Sequence, residues 1–340
     1  MSTSERPGVY TTYEVFTGVS AYGSGGAVGL AAEATETRDG KVVNVTSYAE
    51  AASAFGGGNL VKLVQVLLAN GAPAVYAVAV NEGDYETAFE TLMKERAVKY
   101  MVCDSRSSEV HDKLKTAVLG GEEACKYRIA FVESDQSERA ALVGAAEALG
   151  CERMVLVSHH DSGGTPGAVA AAVCAVTAAE SDPALPLNGA VLQGLGELGD
   201  NFSDADITLL VQGGVTPLET VAGEVSVIRG VTTRTMSGEV KDATWRELTT
   251  VRIVDTLLPQ IRDSLRARFS RSKNNVQTRG AIRTQVIIEL EEALAREYID
   301  SYGDVSVAAA EDDGSVCTVS FDFAVAHGLN RIELKARITV

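Results

Sequence analysis

Four short apolar runs, Val75 to Val80, Val98 to Cys103, Ile129 to Val132 and Met154 to Val157, alternate with stretches of helical spacing. Tyr85 to Arg96, Val110 to Leu119 and Ser137 to Leu149 are those stretches, with Gly150 suited to the position just past a helix C-terminus. Strand, helix and strand, repeated through short connections, predict a mostly parallel sheet covered by helices. Thr165-Pro166 opens a further alanine-rich helix that runs to Ala179, since proline is tolerated in a first turn. Asp204 to Val211 reads as a short helix, and Thr216 to Val231 as a strand pair turning at Ala222-Gly223.

From Lys241 the pattern changes. Leu248, Val251, Val254, Leu258, Ile261 and Leu265 recur at helical spacing, with Pro259 predicting a kink or an interruption. A polar loop, Ser270 to Thr278, leads to a second helix carrying Ile287, Leu290, Leu294 and Tyr298. After Gly303 the period becomes two: Cys317, Val319, Phe321, Phe323 and Val325 share a face, and His327 to Asn330 turns the chain. Ile332, Leu334, Ala336, Ile338 and Val340 then form a last apolar face that persists to the final residue, although termini usually fray. Such a strand needs a sheet to join. At the other end, Tyr10 to Phe16 is rich in aromatic, Thr and Val residues and follows Arg6-Pro7, which cannot be helical. The expected organisation is an extended arm over 1–22, an α/β domain over 23–235, a smaller α+β domain over 236–325 and a strand arm over 326–340.

Charge narrows the function. The chain holds 30 basic and 46 acidic residues, a net of -16, which argues against nucleic-acid binding because phosphate contacts need a basic surface. No apolar stretch is long enough to span a bilayer, and the start has no apolar secretory segment. The five cysteines are scattered without CxxC spacing and read as buried reduced thiols. Residues 236–340 carry 14 basic and 16 acidic groups, leaving 16 and 30 on residues 1–235. Within the second part lies a basic strip, Arg262, Arg266, Arg268, Arg271, Lys273, Arg279 and Arg283. It is either a solvated helix face and loop or a docking surface for an acidic partner.

Signatures of chemistry are sparse. Gly23 to Gly29 does not fit GxGxxG, and there is no P-loop, HExxH or GxSxG. Asp104, Glu133 and His159-His160-Asp161 each follow a predicted strand, where ligands bind in open α/β sheets. Metal binding or proton exchange there supports an alternative reading, a cytosolic α/β enzyme or ligand-binding protein. The competing reading makes Asp104 and Glu133 capping or loop carboxylates, His111 a surface helix residue, and Trp245 and Tyr298 core aromatics of the second domain.

Both chain ends carry a family resemblance. Arg6-Pro7-Gly8-Val9-Tyr10 resembles the opening motif of contractile phage tail sheath proteins, and Val316 to Val325 with Arg331 to Val340 resembles their C-terminal end. The α/β body, the Gly230-Val-Thr-Thr-Arg234 stretch and the helical pair fall between them in the same order. The resemblance implies a minimal, non-enzymatic sheath subunit without cofactor or membrane insertion. Its partners would be further copies of itself in hexameric rings, an inner tail tube protein, and baseplate and tail-terminator proteins. It would reside in a phage tail, a phage-tail-like bacteriocin or a related injection system, assembled in the bacterial host cytoplasm. Arms carrying Pro7, Gly8, Val9, Tyr10, Tyr13 and Val15, and Ile332, Leu334, Ala336 and Ile338, would add strands to neighbouring subunits. The C-terminal domain would lie inward, so that the basic strip faces the tube.

Overall fold

A computed structural model describes residues 26–123, 126–159, 164–196, 198–199, 201–311, 313–331 and 333–337. The first part of the chain forms β1 (Ala27–Glu33), β2 (Val43–Val45), α1 (Tyr48–Phe55), α2 (Asn59–Ala69), β3 (Val75–Val80), α3 (Tyr85–Lys94), β4 (Val98–Cys103) and α4 (Ser108–Glu123). It continues through β5 (Ile129–Glu133), α5 (Arg139–Leu149), β6 (Met154–Val157), α6 (Ala168–Ala179), β7 (Val191–Leu192), α7 (Asp204–Gln212) and β8 (Val215–Thr216). Next come β9 (Leu218–Val221), β10 (Glu224–Val227), and a small hairpin of β11 (Met236–Ser237) and β12 (Val240–Lys241). The last part holds α8 (Leu248–Phe269), α9 (Val276–Ala295), β13 (Ile299–Tyr302), β14 (Ser306–Ala309), β15 (Cys317–Ser320) and β16 (Phe323–Val325).

The main sheet has the order β2-β3-β1-β4-β5-β6-β8, and every pairing is parallel except that of β2 with β3. The interior strand β1, between β3 and β4, is rich in alanine and glycine and is buried on both faces. Gly29 matters there, because a Cβ would lie 2.9 Å from Cγ1 of Val98. Val28, Leu30 and Ala32 face one layer, made by α1, α2, α6 and the start of α8. Ala31 faces the other, made by α3, α4, α5 and α7. Nearly every residue of α6 is buried, as expected of a helix that is apolar all round. The strand pair expected over 216–231 is β9 and β10, turned by Ala222 and Gly223, both at positive φ.

The helix α8 joins two cores. Leu248 and Val251 pack into the α/β core, whereas Ile253, Leu257 and Ile261 pack with Val286 and Leu290 of α9. The helix continues through Pro259 rather than breaking there. Two charged contacts fix it to the α/β body. The buried Arg252 donates to the carbonyls of Glu180 (2.9 Å) and Leu185 (3.3 Å). Glu180 is the C-cap of α6, where helix carbonyls lack partners and the dipole favours a cation. One turn further along α8, Asp255 pairs with Arg153, whose side chain is only 4% exposed. Trp245 packs half-buried on the α/β core, not in the second domain as expected. Tyr298 does pack on the second core.

Breaking the buried pair tests this joint. Asp255→Ala leaves the Arg153 guanidinium without its carboxylate and is expected to cost about 3–5 kcal/mol in equilibrium unfolding. A loss below about 1 kcal/mol, the range of a surface pair, would show that the contact does not bear on the joint.

Candidate assembly surfaces

The strand-end carboxylates are spent on the fold. At the end of β4, Asp104 accepts from Tyr85 Oη (2.7 Å), the Glu33 amide (3.0 Å) and Asn59 Nδ2 (3.0 Å). It thereby ties the end of β1 to the starts of α2 and α3. Glu133, at the end of β5, accepts from the amides of Gly167 and Val169 and from Nε of Arg106 (2.9 Å). That makes it a cap for the N-terminus of α6, satisfying orphan amides with a negative charge. Burial pushes its pKa up, while the amides and Arg106 pull it down. Gly167 completes the plug: its φ is +84°, and a Cβ would lie 2.5 Å from the Cys103 carbonyl oxygen. Asp104 and Glu133 are thus engaged by backbone amides at the strand ends where an open α/β sheet holds a ligand.

His159 is buried, with Nδ1 2.8 Å from Ser158 Oγ and its ring 4.6 Å from that of Phe202. His160 and Asp161 lie outside the described residues. His111, expected on the surface, is buried on α4, with Nε2 3.0 Å from the Ser105 carbonyl oxygen. The apolar neighbours Val110 and Leu114 were the signal for that burial. Cys103, Cys151 and Cys174 are buried free thiols as expected, and burial pushes Cys103 up to about 12. Cys317 is half-buried, and Cys125 lies outside the described residues.

The basic strip divides into two groups. Arg268 donates to Gln285, Arg279 to Asn274 Oδ1 (2.9 Å) and Arg283 to the Val305 carbonyl (2.7 Å), so these three brace α8, α9 and the following strands. Arg262 lies 3.5 Å from Asp263. Arg266, Arg271 and Lys273 are exposed, and their side chains bond no group among the described residues. The free charge is thus concentrated at the end of α8 and the loop that follows, beside Val276, which is 78% exposed.

Strand edges differ sharply between the two halves. In the α/β body side chains close several of them. Asn201 grips Thr220 of β9 by both its amide (2.7 Å) and its carbonyl (2.8 Å), acting as a one-residue strand. The hydroxyl of Thr216 accepts from the Val231 amide (3.0 Å) and donates to its carbonyl (2.9 Å). Thr233 does the same to Cys151, at 3.0 and 2.9 Å. Sequence reasoning singled out the 230–234 stretch by resemblance alone; its hydroxyls are the physical reason for it.

In the second half β13 pairs only with β16, and β14 only with β15, among the described residues. Among the described residues no side chain bonds the backbone within these four strands, although Asn274 holds the Gly314 and Val316 carbonyls and Arg283 that of Val305 just beside them. The alternation over 317–325 is as read from the sequence: Val319, Phe321, Phe323 and Val325 are half-buried against α9 and its core, with exposed residues between them. The single strand expected there is divided at Phe321 and Asp322. Residues 327–330, expected as a turn, run instead along the α/β body. Gly328 sits against Pro186, and Asn188 Nδ2 donates to Asn330 Oδ1 (2.9 Å) and toward the Leu329 carbonyl (3.4 Å). Beyond them 333–337 form no strand; Leu334 is 94% exposed, and Ala336 is exposed too. Pro7, Gly8, Val9, Tyr10, Tyr13, Val15, Ile332 and Ile338 lie outside the described residues.

Comparison with known proteins bears on these surfaces. Residues 240–339 match the family model of the phage tail sheath C-terminal domain. Across the whole chain, the fold is similar to a chain in the cryo-EM structure of the anti-feeding prophage baseplate, with a TM-score of 0.75 and 15% identity, covering 99% of this chain and 100% of that one. It is similar to a chain of the contracted sheath complex of the extracellular contractile injection system PVC, at TM-score 0.69 and 17% identity, covering 100% and 99%. It is similar too to the sheath tail protein of Desulfitobacterium hafniense, at TM-score 0.69 and 11% identity, covering 94% and 100%. The fold is that of a tail sheath protein. No curated protein matches the chain.

The sheath fold here carries one titrating core group with a definite sign. Burial lowers the pKa of His111, outweighing the Ser105 carbonyl and the carboxylates of Asp112 and Asp135. Its neutral burial therefore stabilises the fold fully above about pH 6.5, the unfolded value, and that contribution is lost as pH falls below it. His111 should lower subunit stability between pH 6.5 and 5 by no more than about 1.4 kcal/mol per unit, and His111→Gln should remove that part of the slope. An unchanged slope in the variant would contradict the assignment.

Proposed function

We propose that this chain is the structural subunit of a contractile tail sheath, polymerising as stacked hexameric rings around an inner tube and shortening to drive the tube through a cell envelope. One observation carries the reading: two strand ribbons with open edges lie in the same chain as a C-terminal segment whose alternating apolar residues are uncovered. Each is what the other needs. Strand addition between copies satisfies the backbone and covers Leu334 and Ala336, at a net gain of about 1 kcal/mol per hydrogen bond. The N-terminal arm, with Pro7 to Tyr10, Tyr13 and Val15, is proposed to join the same composite sheet.

The C-terminal domain is proposed to face the tube, with Arg266, Arg271 and Lys273 as the free cations of the strip. Exposed charges of this kind hold a partner reversibly, because salt screens them. Contraction is then a rigid-body transition between two discrete packings, with the arms keeping neighbours linked and no nucleotide consumed. The proposed setting is a phage tail or phage-tail-like particle, assembled in the host cytoplasm with tube, baseplate and terminator proteins. The enzyme reading draws no support from Asp104 or Glu133, which hold backbone amides instead.

Deleting Met1 to Tyr13 should leave a folded subunit that no longer forms tubes in negative-stain electron microscopy. Tubes indistinguishable from those of the full chain would sink the arm-exchange reading. Reversing Arg266, Arg271 and Lys273 together should abolish co-assembly with the tube and leave thermal unfolding unchanged. Normal co-assembly would place the tube contact elsewhere.

A further inference from the structure

Between α5, α7 and the β11–β12 hairpin runs a groove of about 820 Å³. Two large apolar side chains that line it, Leu209 of α7 and Met236 of β11, are 47% and 46% exposed. The charges around them are matched. Arg229 and Arg246 meet Glu247, Arg331 meets Glu333, and Glu147 and Asp204 lie on the walls with Lys241. The groove thus offers uncovered apolar surface with no excess of either charge, which suits an apolar occupant.

The same chain brings such a segment to the groove. Asn330 and Arg331 line it, and Asn188, also on its wall, donates from Nδ2 to Asn330 Oδ1 (2.9 Å). Two residues earlier, Gly328 sits against Pro186. The chain is therefore held up to Asn330 and leaves the body at the groove itself. Three residues beyond Arg331, Leu334 is 94% exposed, and Ala336 is exposed after it. Three residues of extended chain span about 10 Å, so a turn of the backbone just past Asn330 carries Leu334 into the groove. So short a tether gives it an effective concentration in roughly the millimolar range, above that of a neighbour's segment in a dilute solution of subunits.

We infer that the groove is the docking site of the chain's own C-terminal segment in the unassembled subunit, with Leu334 and Ala336 packed on Leu209 and Met236. The segment then has two positions. In the open one it is exposed and Arg331 pairs with Glu333 (3.0 Å); in the closed one it lies in the groove. Side chains alone hold the closed position, without a strand ladder, so a partner that offers both apolar cover and backbone pairing draws the segment out. The inference rests on the self-assembly reading above and adds its regulation: closure lowers the fraction of subunits able to donate a strand and raises the concentration at which tubes form.

The closed position is tested in the unassembled subunit. The ε-methyl resonance of Met236, assigned through Met236→Leu, should move when Glu333 to Val340 are deleted, by an amount independent of protein concentration. An unmoved resonance would overturn the inference. So would a difference that vanishes on dilution, which would put a second copy's segment in the groove. The regulation is tested in assembly. Leu209→Gln with Met236→Gln, both exposed and outside the ribbons and arms, should lower the threshold concentration for tubes about tenfold if one subunit in about ten is open. Damage to an ordinary contact between copies would raise that threshold, so an equal or higher value in the variant overturns the regulation. A wild-type chain that forms no tubes at any concentration removes the self-assembly reading, and the methyl shift still decides the closed position.

Discussion

An unpaired strand edge dominates the logic of this chain. Backbone amides and carbonyls in an edge strand are a template for another strand, and proteins that must stay apart cover them. The α/β body obeys that rule with Asn201, Thr216 and Thr233, each of which bonds both the amide and the carbonyl of a single residue. The C-terminal half does not, although its ribbons of two strands are marginal structures by themselves. Their support is one-sided, from α9 and the Ile253, Leu257 and Leu290 core. Edges met by side chains at several places in one half and left open in the other fit a subunit that associates through its C-terminal region.

The joint between the halves gives that association mechanical meaning. Because α8 starts in one core and ends in the other, a displacement of the C-terminal domain is carried directly to the α/β body. Arg252 on the end of α6 and the Arg153–Asp255 pair resist rotation of the helix about that joint. The chain returns to the α/β body a second time at Gly328 to Asn330. Under the sheath reading, the two cores joined by α8 would move as a unit.

Much of this was legible in the sequence, for identifiable reasons. Runs such as Met154 to Val157 are buried on both faces and cannot be anything but interior strands, and the alternation from Cys317 to Val325 survives residue by residue in the burial pattern. The interior strand β1 was not legible: Ala27 to Glu33 is mostly alanine and glycine, which signal little strand propensity, because two helical layers close on it. The strand-end carboxylates were rightly weighed as caps, but a sequence cannot show that Glu133 reaches α6, which begins 35 residues later. Nor does the basic strip reveal which cations are spent inside the domain; Arg268 and Arg283 differ from Arg266 only in what the fold places beside them.

The central claim is that open backbone edges in the C-terminal domain are closed by segments of other copies. Hydrogen exchange of the backbone amides in 306–309, 317–325 and 333–337, compared between the isolated subunit and the polymer, tests it most directly. Strand exchange predicts fast exchange in the subunit and strong protection of all three segments in the polymer. Polymers whose amides in these segments exchange as fast as those of the free subunit would contradict it.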